Sequence, residues 1–149
     1  MRNLYLCLIT IFTMSVSSMI IDNLDDTRAN WSAISDNVIG GISEVNFYEV
    51  DDGSDKFYRL EGSVSTKNNG GFIQSVIRFP INAQDFQGVR FKVRGTSDDY
   101  YLWIRTPASR FPWDRYIASF KPGEDWSVIE IPFSSFKKSV TQLVAKLSP

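Results

Sequence analysis

Residues 88–95 read GVRFKVRG. Val89, Phe91 and Val93 alternate strictly with Arg90, Lys92 and Arg94, the period-two pattern of a strand with one buried and one wet face. The same alternation returns in DWSVIEIPF (125–133). There it puts Ile129, Ile131 and Phe133 on one face and Trp126 and Val128 on the other. Three more strands are read in VNFYEV (45–50), FYRLEGSVST (57–66) and GFIQSVIRF (71–79), with DDGSDK (51–56) as a hairpin connection. YYLWIRT (100–106) is apolar on both faces, as a central strand covered on both sides would be. TRANWSAISD (27–36) has room for one short helical turn. Prolines 80, 107, 112, 122 and 132 fall at strand ends or in loops, where a missing N–H is tolerated. Several short strands with turn signals about every ten residues indicate an all-β antiparallel sandwich or jelly roll.

The N-terminus is different in kind. Arg2 precedes an apolar run, LYLCLITIFTMSV (4–16), followed by small residues. This is the pattern of a signal peptide, with cleavage after Ser18, and the run is short for a membrane span. An uncleaved anchor is the alternative and would be the chain's only route to a membrane. The expected location is therefore outside the cytoplasm, periplasmic or secreted. Cleavage would remove Cys7, the one cysteine, so no disulfide framework is expected and stability rests on the core. Aromatic residues make up 14% of the chain, enough for that core to be aromatic-rich. The slight negative charge, −1 for the whole chain, argues against nucleic acid, which needs a basic footprint.

The chemistry that is missing narrows the function. There is no histidine, so Ser-His-Asp and Cys-His nucleophiles and His-ligated metals are excluded. The glutamates at 44, 49, 61, 124 and 130 show no paired spacing that suggests a glycosidase. No phosphate-cradling glycine motif is present. Two acidic clusters, Asp22 with Asp25 and Asp26 and Asp51 with Asp52 and Asp55, lack EF-hand spacing and read as solvated turns. The expectation is a chain that is not an enzyme, with no catalytic residues, no metal and no cofactor. Arg90, Lys92 and Arg94 form either a solvated strand face or a dock for an acidic partner. Tyr100, Tyr101, Trp103 and Arg105, followed by a loop carrying Phe111, Trp113 and Tyr116, admit two readings. They are core and loop packing, or a surface that stacks on a sugar ring or a protein partner.

Two glycine pairs stand out. SDNVIGGIS (35–43) carries Gly40 and Gly41, and KNNGGF (67–72) carries Gly70 and Gly71, each at the mouth of a strand. Glycine there permits positive φ, a bulge or a close approach. The alternative is that Asp36 and Asn37, held beside the glycines, line a pocket.

The order of these elements carries a resemblance. Trp31, SDNVIGGIS, LEGSVSTKNNGGFIQSVIRF (60–79), GVRFKVRG, YYLWIRT, Tyr116 with Phe120, and WSVIEIPFSSF (126–136) together resemble the complex I intermediate-associated protein 30 family. The resemblance spans residues 22–136 and implies a galactose-binding-like β-sandwich. It also implies a binding or assembly role through protein contact. An exported carbohydrate-binding module is the alternative on the same fold. The family's best-known members resemble assembly factors for respiratory complex I on the matrix side, whereas an exported chain would stand elsewhere. The reading is a signal peptide (1–18), a sandwich domain (19–136) and a short divergent or truncated tail (137–149). Family members usually continue past the I-P-F-x-x-F element, so an incomplete C-terminal edge is expected. SVTQLVAKL (139–147) has helical spacing and is expected as a short helix or loose tail, not a strand.

Overall fold

The computed structural model describes residues 17–139 except Thr27 and Pro112. The leader (1–18) and the helical reading of 139–147 thus lie almost wholly outside the described residues. The described residues divide into two compact units, one of residues 17–82 and one of residues 83–139.

In the 17–82 unit, β1 (Trp31–Ser35) pairs antiparallel with β4 (Ile73–Ile77), Trp31 opposite Ile77 and Ser35 opposite Ile73. β2 (Glu44–Asp51) pairs with β3 (Lys56–Ser63) as a hairpin, Phe47 opposite Leu60. Its connection is built from aspartates that accept from their own turn. Asp51 takes the Gly53 N–H and Asp52 takes the N–H groups of Ser54 and Asp55, the expected Asx chemistry. Trp31, Phe47 and Tyr58 form one aromatic cluster with centroids 5.2 to 6.3 Å apart. The Asp22 carboxylate pins the preceding segment to that cluster. It accepts from the Trp31 indole N–H at 2.9 Å, the Tyr58 hydroxyl at 3.2 Å and the N–H groups of Leu24 and Ala29. Burial pushes the Asp22 carboxyl up, but these four donors outweigh it and hold the group below its ordinary range.

The residues expected to hold a helical turn instead form β1. Propensity there is weak, and the ladder to β4 satisfies backbone groups that a lone turn would leave open. The turn lies just after it, as a single 3-10 turn at Asp36–Ile39.

In the other unit, β5 (Gly88–Val93) pairs with β8 (Ser127–Pro132), Phe91 opposite Ile129. β6 (Tyr100–Ile104), β7 (Arg115–Phe120) and β9 (Lys137–Ser139) form a second sheet in the order β6-β7-β9. Phe91 meets Phe120 edge-on at 5.1 Å, and Phe120 stacks on Tyr100. Ala118 and Ile131 are buried and Val128 is exposed, as the alternation requires. β6 is not a covered central strand. It is the edge of its sheet among the described residues, and Tyr101 stands 60% exposed. β7 begins at Arg115, so Tyr116 sits on a strand and not in the preceding loop. The first three residues of the expected tail are β9, with Lys137 opposite Ile117.

The basic stripe of β5 is occupied by its own neighbours. Arg90 pairs with Glu130 at 3.3 Å, and Lys92 and Arg94 lie over the Trp126 ring at 5.3 and 4.9 Å.

Candidate functional site

Both glycine pairs converge on one carboxylate. Asp36 starts the 3-10 turn after β1 and is fully buried, as is Ser43. Asp36 Oδ1 accepts from the Ser43 N–H at 2.8 Å, and Oδ2 accepts from the Ser43 hydroxyl and from the Gly71 N–H at 2.6 Å. Ser43 Oγ in turn accepts from the Ser65 N–H at 2.9 Å. The glycines divide the work. Gly40 and Gly71 take positive φ, +89° and +137°, which an L side chain resists. Gly41 and Gly70 give space: a Cβ on either would lie 2.3 Å from the Asp36 carboxyl group. Burial pushes the Asp36 carboxyl up, but the Ser43 hydroxyl and the N–H groups of Ser43, Gly71 and Phe72 pull harder, so it stays ionised below its usual range.

A fully buried carboxylate with both oxygens engaged is not offered to a substrate. Asp36 instead ties three segments together, the turn at 36–43, residue 65 and the 70–72 turn. Asn37 is exposed, and its Nδ2 donates to the Ser43 carbonyl at 3.1 Å. Sequence reasoning passes over Ser43 as a key residue, although the serine that closes S-D-x-x-x-G-G-x-S is its signal.

The aromatic residues belong to the other unit. Period-two alternation puts Tyr101 and Trp103 of β6 on one face, opposite Ser119 and Ile117 of β7. Both rings are exposed, Trp103 by 37%. Arg115 lies diagonally across from Trp103, and its guanidinium sits 3.8 Å from the indole centroid. Tyr116 is opposite Ile104 and so points to the other face. The loop between β6 and β7 is tightly tied. Arg105 donates to the Phe111 carbonyl at 3.0 Å, the Ser109 N–H to the Thr106 carbonyl, and the Asp114 N–H to the Phe111 carbonyl. That frame presents Phe111 and Trp113 stacked in parallel, 5.1 Å apart and 2° from coplanar, both exposed.

Of the expected binding residues, Tyr101, Trp103, Arg105, Phe111 and Trp113 thus share one strand and its following loop. Arg115 escapes sequence reasoning, because only the β6–β7 register shows that it reaches Trp103. Among the described residues, no group of three His, Cys, Asp or Glu side chains is placed to hold a metal ion. A broader hollow of about 260 Å³ lies in the 17–82 unit, rimmed by Met19, Ile20, Arg28, Arg78 and Phe79. Its Arg28 is already held by Glu49 at 2.7 Å, and it gathers no pair of groups suited to chemistry.

The match that decides the family spans residues 22–146, to complex I intermediate-associated protein 30 (CIA30). The chain belongs to the CIA30 family. The match runs past Phe136 and takes in β9. No curated protein matches the sequence. Among solved structures, this CIA30-family chain is similar to the family 11 carbohydrate-binding module of the cellulosomal cellulase Lic26A-Cel5E of Clostridium thermocellum. Identity is 18% with a TM-score of 0.65, covering 85% of this chain and 72% of the module. A second family 11 module from Clostridium thermocellum, in complex with a beta-1,3-1,4-mixed-linked tetrasaccharide, matches at 18% identity and a TM-score of 0.64, over 85% and 73%. At this identity the likeness is one of fold: an all-β sandwich of the jelly-roll, galactose-binding-like type.

Proposed function

We propose that this CIA30-family domain is a non-enzymatic binding module that contacts another protein through Tyr101, Trp103, Arg115 and the Phe111–Trp113 loop. The observation that carries this is the Trp103–Arg115 stack beside a hydrogen-bonded loop that exposes Phe111 and Trp113. Trp, Tyr and Arg dominate the energetics of protein interfaces, and a loop already held by its own hydrogen bonds loses little entropy on binding. The family description, an intermediate-associated protein, supports a protein partner. The apolar run at 4–16 supports export, and intact mass spectrometry of exported material beginning at Met19 would check it. Capture with the purified chain as bait tests the function. The wild type should enrich a defined partner that Trp103→Ala and Trp113→Ala both lose while keeping the wild-type melting temperature. Equal capture by all three baits would sink the reading.

A second reading, carbohydrate binding, is supported by the parallel Phe111–Trp113 pair and by the names of the similar modules. Affinity electrophoresis in mixed-linkage β-glucan separates the two. Retardation of the wild type but not of Trp113→Ala would favour the glycan over the protein.

A further inference from the structure

Asn30, Trp31 and Ser32 read N-x-S. Of the eight asparagines in the chain, only Asn30 has a serine or threonine two residues on, and the residue between is not proline. The fold leaves this triplet accessible. Trp31 opens β1 and joins the aromatic cluster with Phe47 and Tyr58. Period two sends its neighbours the other way, and Asn30 and Ser32 are both exposed. Neither side chain has a hydrogen-bond partner among the described residues. The Trp31 N–H donates to the Ala29 carbonyl at 3.2 Å, which closes a three-residue turn centred on Asn30. The hollow of about 260 Å³ borders the same residue, which leaves room beside the turn for a bulky group.

Timing favours the same residue. Trp31 pairs with Ile77, and Ser35 with Ile73. When the triplet emerges during synthesis, the strand that will draw it into a ladder is still to be made, so the local chain is free to fit an enzyme. We propose that Asn30 is an acceptor for an N-linked glycan, added by an oligosaccharyltransferase as the chain is exported. The inference rests on the proposed export and not on the proposed protein contact, whose residues lie in the other unit. The Asn30 side-chain nitrogen attacks the anomeric carbon of an oligosaccharide carried on a lipid pyrophosphate. The C–N bond forms, the C–O bond to the pyrophosphate breaks, and the nitrogen gives up one proton as the lipid pyrophosphate leaves. The Ser32 hydroxyl is the second group that the enzyme reads. The product is a bulky, solubilising surface group, attached beside Met19, Ile20 and Phe79, the exposed apolar rim of the hollow.

The test uses the full chain with no partner, so its outcome is independent of the capture experiment. The chain, with its own leader, is translated in the presence of endoplasmic-reticulum microsomes, and the protease-protected product is treated with peptide-N-glycosidase. The wild type should carry one increment of mass that the glycosidase removes. Asn30→Gln and Ser32→Ala should each lose it, and Ser32→Thr should keep it. Asp52→Asn places an N-G-S triplet in the exposed β2–β3 connection and reports entry into the lumen; it should add a second increment. An increment on Asp52→Asn with none on the wild type would overturn Asn30 as the acceptor. No increment on either would overturn the export on which the inference rests. The glycosylated chain should also melt within a few degrees of Asn30→Gln. A far lower transition would overturn the placing of the glycan on the folded surface.

Discussion

At the scale of single residues, the Asp36 node makes the most exacting demands. Gly40 has left-handed backbone but open space where a Cβ would stand, so Gly40→Ala should cost only about 1 kcal/mol. Gly41→Ala and Gly70→Ala drive a Cβ to 2.3 Å from the Asp36 carboxyl group. Each should lower the melting temperature by about 10 °C or more, read by circular dichroism. Acid should act on the same node. The folded-state pKa values of Asp36 and Asp22 are both depressed. The stability they contribute is therefore present above the unfolded value, near 3.9, and is lost as pH falls through the lower folded value. The wild-type melting temperature should decline steadily below about pH 4. Asp36→Asn should melt lower at neutral pH and decline less with acid. An identical slope for both proteins would mean that Asp36 is not ionised in the fold.

At the scale of elements, β5 and β8 show how far alternation reaches. Val89, Phe91, Ile129 and Ile131 share the covered face because residues directly opposite in an antiparallel ladder project to the same side. Ile131, 6% exposed, should cost about 2–5 kcal/mol on truncation to alanine. Val128, 52% exposed on the other face, should cost under about 0.5 kcal/mol. Chemical denaturation of the pair checks the face assignment directly. Alternation fails as a guide where both faces are aromatic. In YYLWIRT, apolar character alone does not separate a strand covered on both sides from an edge strand that exposes Tyr101 and Trp103. β1 is obscured for another reason: its partner β4 lies some forty residues on, and nothing within 27–36 shows that ladder.

At the scale of the whole chain, few apolar side chains are deeply buried among the described residues: Leu24, Phe57, Ala118 and Ile131. Many large ones remain exposed, among them Ile20, Val38, Ile39, Val64, Tyr101 and Phe111. A small core gives a small margin of stability, and exposed apolar surface favours association. The purified protein should show concentration-dependent self-association in analytical ultracentrifugation and melt below about 65 °C. A monodisperse monomer with a sharp, higher transition would show that these side chains carry no association energy.

By itself the sequence determined the all-β class, the two faces of β5 and β8, the β2–β3 hairpin and the family. Each of these is written in local spacing or in motif order, which short segments carry on their own. Only the tertiary structure decided what the glycine pairs are for. A glycine records that a side chain is excluded but not what excludes it. For Gly41 and Gly70 the excluder is one carboxylate, Asp36, which lies 35 positions from Gly71 in sequence and bonds to its N–H in the fold. The same holds for Arg115. Its place over Trp103 follows from the β6–β7 register and exists only once the strands have met.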